Sequence, residues 1–498
     1  KDLAQAGSGP VVIPLAETSL RVSPCSMMHV GGSQTRRTVL LLVASTLLEA
    51  GSALVMPTSN YVDGSCPEGY DAALHKSFDL FPHKSNAAEK FTSTVSADYS
   101  LLWDVSYHGS YKVINHTKTG YAVLYQCGTP QPLLSELPFT ATEAEVQFVQ
   151  VPVQRAAVDS TTYLPWMEMI GERDALVAYT SKFEYVTSPC LRKMKAGGML
   201  PSGANRTVLE SLNVQVTFAS SWTTDVPNKY EITNIAPEEN SVLKSAEYVE
   251  LVGLFFNREA AATAAITHIV DAFMCAKKEA EAASAGASFR VLWTQFWDGA
   301  GDSGGWSVAS CPDWYCEIVE AAGGHIITPA ELNITGEVTT PWAAYLSTSQ
   351  VIEMGANADV WIIPGNGSDF LASAPLYDVE ALTAGIPAVR DQRVFDAYGQ
   401  GPHDWFEGRE ANPDALLQDV VSVLMPEKFP EHQKTWLRNV FTDPVGVKAD
   451  AESACPDIHA PYMFHNNVWC TDDVSHAPAA KVPAMALAAV AAALATAW

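Results

Sequence analysis

Between about Val242 and Ala285 the chain is rich in Ala, Glu and Lys and nearly empty of turn residues. That stretch limits what the flanking segments can build. Val249, Val252 and Phe256, then Ile266, Ile269, Val270 and Phe273, recur at three-and-four spacing, the mark of an amphipathic helix or a tandem pair of helices. One continuous helix of that length would reach on the order of 60 Å. Before it, strand-like runs at 146–153, 175–179 and 214–218 alternate with helix-sized spacers, and residues 111–114 and 121–126 flank Lys118-Thr119-Gly120 as a hairpin pair. After it the alternation resumes at 289–294, 325–328, 360–363 and 388–395. Strands separated by helical spacers imply mainly parallel sheets. The expected architecture is therefore α/β, with a first lobe over 105–241, a linking helix over 242–285 and a second lobe over 286–445.

The two ends read differently. Arg36-Arg37, the apolar run 39–48 and Gly51-Ser52-Ala53 have the layout of a secretory signal peptide, placed at 27–53 with Met27 or Met28 as its start. Residues 54–104 read as an N-terminal extension, and 446–481 as a turn-rich, disulfide-containing stalk. Small residues at 475–480 precede an apolar tail at 482–498, a pattern that fits a glycolipid-anchor signal, with a membrane helix as the other reading. Of nine cysteines, only Cys25 precedes the cleavage point, leaving eight for disulfides in an oxidising compartment. Cys311 with Cys316 and Cys455 with Cys470 are candidate small-loop pairs, although eight cysteines allow 105 connectivities. Asn115, Asn205, Asn333 and Asn366 each begin a glycosylation sequon. The expected location is the outer face of the plasma membrane, reached through the secretory pathway, as a monomer. A formal charge of −26 argues against nucleic acid and anionic lipid as partners.

The chemistry-bearing motifs are sparse. Gly301-Asp302-Ser303-Gly304-Gly305 resembles a serine-protease nucleophile segment, but no upstream histidine stands in a matching context and the α/β pattern is wrong for it. The twelve histidines are scattered, without metal-ligand spacing, so no intrinsic cofactor is expected. Gly365-Asn366-Gly367 is too short for a phosphate loop. Asp404 and Glu407 could form an acid–base pair, which keeps a surface enzyme open as one reading. A purely structural cell-wall protein is another. Aromatic residues carry more weight. Trp166, Trp222, Trp297, Trp306 and Trp405 fall just after strand-like runs, where α/β folds place ligands, although a tryptophan also serves as core.

In segment order, residues 105–440 resemble the class III periplasmic solute-binding proteins, which serve importers of cobalamin and ferric siderophores. Thr161-Thr162-Tyr163 is similar to the family's cleft-facing turn in the first lobe. Glu247-Tyr248 and Phe255-Phe256-Asn257-x-Glu259 resemble the start of its lobe-linking helix region. Asp404-Trp405-x-Glu407, Pro413-Asp414, Leu417-x-Asp419, Pro426-Glu427 and Pro430 resemble its closing signature. The sequons, cysteines and anchor-like tail give the chain a likeness to the surface cobalamin-acquisition and siderophore-binding proteins of algae. The resemblance implies two Rossmann-like lobes joined by a long helix, with ligand captured between them for uptake and no catalysis. It implies cobalamin, or another corrinoid, in an aromatic cleft, with a neutral ferric hydroxamate siderophore as the alternative. The implied ligand contacts are Thr161, Thr162, Tyr163, Trp166, Trp222, Trp297, Trp306, Asp404, Trp405 and Glu407. An uptake receptor or transporter is the implied partner, with Glu168 as a candidate docking carboxylate.

Overall fold

The computed structural model describes residues 56–86, 100, 102–220, 230–297, 305–334, 337–340, 343–364, 379–461 and 469. The expected signal peptide and anchor signal, Gly301 to Gly304, Asn366 and Cys470 lie outside the described residues. Among the described residues, no helix is long and apolar enough to cross a membrane.

The first helix among the described residues is α1 (Ala72–His75), capped by the Asp71 side chain. Strands β1 (Trp103–His108), β2 (Tyr111–His116) and β3 (Gly120–Gln126) form an antiparallel meander, and β4 (Val146–Val151) lies parallel to β3. Pro152 has no N–H with which to continue that ladder. The strand-like run at 146–153 therefore belongs to this separate sheet and not to the parallel sheet of the first lobe. Part of the segment read as an extension is fixed against the same body. Phe81 is fully buried, Cys66 is bridged to Cys127, and the Asn60 amide donates to Glu259 at 2.7 Å.

The first lobe's parallel sheet comes next: β5 (Ala156–Val158), α2 (Tyr163–Met169), β6 (Leu176–Tyr179), α3 (Pro189–Ala196), α4 (Arg206–Ser211), β7 (Val216–Ala219) and β8 (Glu231–Thr233). Its strand order is β6-β5-β7-β8, with every neighbour parallel.

The region expected as a linking helix, single or a tandem pair, is three: α5 (Val242–Ala246), α6 (Tyr248–Phe256) and α7 (Glu259–Ser284). The break after α6 has a residue-level cause. Asn257 ends α6 in the left-handed conformation, with φ 57°, a state asparagine tolerates better than most residues. Its side chain joins a buried network, accepting from Lys112 Nζ at 2.8 Å and donating to Gln126 Oε1 at 2.8 Å. All nine residues of α6 are buried. Helix α7 spans the two cores, with Ala262, Ile266 and Ile269 in the first lobe's and Phe273, Ala276 and Ala280 in the second's, and the short α5 also touches both through Ala246 and Val242.

The second lobe runs β9 (Phe289–Trp297), β10 (Gly305–Ala309), α8 (Trp314–Ala321), β11 (Gly324–Ile326), β12 (Glu337–Thr340), β13 (Ala343–Leu346), α9 (Thr348–Gly355), β14 (Val360–Ile363), α10 (Val379–Gly385), α11 (Pro387–Arg390), β15 (Val394–Asp396), α12 (Asp404–Gly408), α13 (Pro413–Leu424) and β16 (Arg438–Asn439). Strands β11, β9, β14 and β15 are parallel neighbours, while β10, β13 and β12 extend β9 as an antiparallel flap. The run at 388–395 is not one strand: α11 fills its first part, and Gln392 turns the chain at φ 55° before β15.

The segment beginning at 446, expected as a stalk, lies along the first lobe. Helix α14 (Ala451–Ala454) packs on α3 and carries Cys455, which is bridged to Cys190. Cys311 and Cys316 are bridged as expected. The proposed partnership of Cys455 with Cys470 is replaced by Cys190–Cys455, because the segment's path brings its cysteine to α3 with a Cα separation of 5.1 Å.

Candidate functional site

Each strand of the first lobe's parallel sheet is followed by a polar residue: Asp159 after β5, Thr180 after β6, Ser220 after β7 and Asn234 after β8. Thr180 donates to Asp159 Oδ1 at 2.7 Å, the Ser220 amide N–H to Asp159 Oδ2 at 3.4 Å, and Asn234 to Ser160 Oγ at 3.4 Å. The carboxyl edge of this sheet is thus a row of hydrogen-bonding groups floored by one carboxylate. Apolar runs that end in Asp-Ser, Tyr-Thr-Ser, Ala-Ser and Thr-Asn are the sequence signal for it, and tryptophan spacing does not reveal it.

Helix α12, which follows β15, meets that edge. Thr162 donates to the Phe406 carbonyl at 3.4 Å, the Tyr185 and His403 rings meet at 5.0 Å, and Glu407 accepts from the backbone N–H groups of Thr187 and Ser188, both at 2.7 Å. The carboxyl edges of the two sheets therefore converge. Burial, then the nearby Asp404 carboxylate, pushes the Glu407 pKa well above the usual carboxylate range, while the two N–H donors pull it back.

The expected ligand contacts divide. Thr161 and Thr162 stand at the convergence, Thr161 half-buried. Tyr163 turns inward and donates to the Ile232 carbonyl at 3.3 Å. Trp166 is fully buried, stacked on Tyr248 at 5.7 Å. Trp306 is core as well, packed on Trp361 and donating to Thr348. Trp405 is 3% exposed, within an aromatic cluster of Trp293, Trp314 and Trp436. These three tryptophans serve packing: Trp166 on α2 and Trp405 on α12 turn into the cores, and Trp306 lies within strand β10 itself. Trp222 and the Trp297 side chain lie outside the described residues.

Asp404 and Glu407 do not form an acid–base pair open to a substrate. Asp404 Oδ2 accepts from Trp436 Nε1 at 2.8 Å, and both Glu407 oxygens accept from the first lobe. Asp419, in the same closing signature, accepts from the amides of Thr435, Trp436 and Leu437 at 2.6–3.0 Å. The signature thus organises the second lobe and its junction with the first. Glu168 is also corrected: it is buried, paired with Arg173 at 2.6 Å and bonded to Ser188, which leaves it no face for docking. Among the described residues, no cluster of three or more His, Cys, Asp or Glu could hold a metal ion.

The aromatic side chains left accessible near the convergence were not among the expected contacts. Phe406 is 42% exposed and Tyr185 37%, and Trp314 and Tyr315, at the start of α8, are half-buried. Arg409 lies over the Trp314 ring at 4.4 Å and pairs with Glu410 at 2.9 Å.

The chain matches no known family profile and no curated protein sequence. It resembles periplasmic solute-binding proteins of known structure. A periplasmic binding protein from Veillonella parvula is 16% identical over 57% of this chain and 88% of its own, with a TM-score of 0.41. A periplasmic heme-binding protein from Pseudomonas aeruginosa is 14% identical over 57% and 96%, with a TM-score of 0.39. A periplasmic vitamin B12-binding protein of Vibrio cholerae is 14% identical over 55% and 98%, also at 0.39. The two-lobed α/β architecture described above rests on the sheets and helices of this chain.

Proposed function

We propose that the chain is an extracellular solute-binding protein that captures one small ligand between its two lobes for uptake. The observation that carries this reading is the convergence of two carboxyl edges: the Asp159–Thr180–Ser220–Asn234 row of one sheet faces the α12 junction that follows the other. Open α/β sheets bind ligands at their carboxyl edges. The disulfides Cys66–Cys127, Cys190–Cys455 and Cys311–Cys316 among the described residues support an oxidising compartment. The exposure of Asn115, Asn205 and Asn333 is compatible with glycosylation. On this reading the protein works as a surface-held monomer that passes its ligand to a receptor or transporter. It binds and does not turn its ligand over, since the one candidate acid–base pair is committed to structure.

The ligand class we propose is a corrinoid. Phe406, Tyr185, Trp314 and Tyr315 offer flat apolar surface, and the polar row offers neutral hydrogen-bonding groups suited to amide side arms. Most cations near the convergence already have polar partners: Arg173 with Glu168, Arg409 with Glu410, and Lys448 with the Glu184 and Val186 carbonyls, while Lys182 lies over the Tyr185 ring at 5.9 Å. That distribution favours a near-neutral ligand over an anionic one. Titration calorimetry of the secreted chain is expected to show saturable one-to-one binding of cyanocobalamin. Binding of ferrichrome alone would replace the corrinoid with a neutral ferric hydroxamate, and silence with both would overturn the capture reading for these ligand classes.

A further inference from the structure

The chain leaves the second lobe at Gly446, whose amide donates to the Tyr398 carbonyl at 2.8 Å. The crossing is tight: a Cβ on Gly446 would sit 1.8 Å from the Gly399 carbonyl oxygen. From there the segment runs across the first lobe and is held at successive points. Lys448 Nζ donates to the Val186 carbonyl at 3.1 Å, Arg192 to the Ala449 carbonyl at 2.6 Å, and Lys193 to the Cys455 carbonyl at 3.1 Å. The Cys190–Cys455 disulfide then makes the attachment covalent. Beyond it, Arg173 donates to the Ala460 carbonyl at 3.1 Å and His459 pairs with Asp174 at 2.7 Å.

The strap and the Glu407 cap act on the same first-lobe element. Ser188 is the N-cap of α3, and its amide and that of Thr187 donate to Glu407 of the second lobe. Cys190, two residues further on, is the strap's anchor. Helix α3 is thus gripped from the second lobe at its amino end by a carboxylate and bonded along its length to a segment rooted in the second lobe. Side chains from each element packed there reach this point: Glu168 and Arg173 from the first lobe, Asp404 from α12 and Lys448 from the strap.

We propose that the strap at 446–461 and the Glu407 cap together position α3 against the second lobe, fixing the spacing of the two lobes before any ligand arrives. On the capture reading, the same junction then slows ligand dissociation. Only the ligand arm of this proposal rests on the capture reading; the lobe spacing is a property of the protein alone.

The test uses the full secreted chain with nitroxide labels on unnatural amino acids at two exposed positions, Glu210 in α4 and Glu353 in α9. Pulsed electron–electron resonance without ligand is expected to give one narrow interlobe distance in the parent protein. Glu407→Gln places an amide donor against one of the two backbone N–H groups it now accepts from. That variant, and the pair Cys190→Ser with Cys455→Ser, are expected to broaden the distribution and add longer distances, and most of all when combined. An unchanged distribution in the combined variant, with near-ultraviolet circular dichroism confirming native packing, would overturn the proposal. Should the cysteine pair fail to fold, Glu407→Gln alone decides, since it keeps the strap. In the ligand arm, cyanocobalamin is expected to leave Glu407→Gln about tenfold faster with little change in association rate. Broadened distances with no cyanocobalamin binding by any form would uphold the positioning and remove the ligand reading.

Discussion

At Trp405 the same side chain answers to two descriptions, and only its neighbours separate them. It follows a strand, as a ligand-binding aromatic would, yet its ring lies 6.2–6.5 Å from those of Trp293, Trp314 and Trp436 and it is 3% exposed. Truncating a buried tryptophan removes its transfer energy and leaves a cavity, at a cost of about 3–5 kcal/mol. Trp405→Ala is therefore expected to lower the urea unfolding midpoint sharply, and a variant as stable as the parent would show that the cluster is not core. Phe406, one residue on and 42% exposed, is the better probe of ligand contact. Sequence could not assign these two roles. Burial against core and burial against ligand select the same apolar side chains, and residues one apart on a short helix face different ways. The threonines at 161 and 162 are singled out only through the family resemblance; in the structure they follow β5 after Asp159 and Ser160, and Thr162 donates to the Phe406 carbonyl.

Among the elements, the break between α6 and α7 shows where pattern reading stops. The three-and-four periodicity of 249–273 runs through the break, since both helices bury apolar faces in the same core. Gly253 lets them approach: a Cβ there would meet the Ala262 Cβ at 2.8 Å. What turns the chain is a long-range polar network that periodicity cannot register. Lys112 of β2 is fully buried and bonds Glu259 Oε1 at 2.6 Å, Asn257 at 2.8 Å and the Leu254 carbonyl at 2.6 Å. Burial lowers the Lys112 pKa, while the Glu259 carboxylate beside it acts to raise it. Lys112→Met would leave Glu259 buried without its cation, and breaking such a pair costs about 3–5 kcal/mol. Lys112→Met is expected to destabilise by that amount in urea unfolding, and adding Glu259→Gln is expected to restore part of it. A double variant less stable than the sum of the singles would refute the pairing. The parallel character of the first lobe's sheet was legible from strand and helix alternation, though only β6 and β7 of its four strands stood among the expected runs. The separate β1–β4 sheet was not, because β4 carries the same pattern as the strands that follow it.

For the whole molecule, the question is what makes two lobes one body. The strap and the Glu407 cap join them at α3, and α7 joins their cores directly, with Ile269 in one and Phe273 in the other. At 26 residues it spans about 39 Å, so loss of either core removes the packing that keeps part of the helix folded. Unfolding of the intact chain should therefore be a single cooperative event. Met274 offers a way to cut this coupling without touching either core, since it is 51% exposed and lies just beyond the changeover. Proline there removes one backbone hydrogen bond and clashes with the preceding turn, at a cost of about 3 kcal/mol. Scanning calorimetry of Met274→Pro is expected to show two resolved transitions where the parent shows one, with Met274→Ala behaving as the parent. A single transition shifted intact to lower temperature would mean that the strap and the α3 junction, not the shared helix, carry the coupling between lobes.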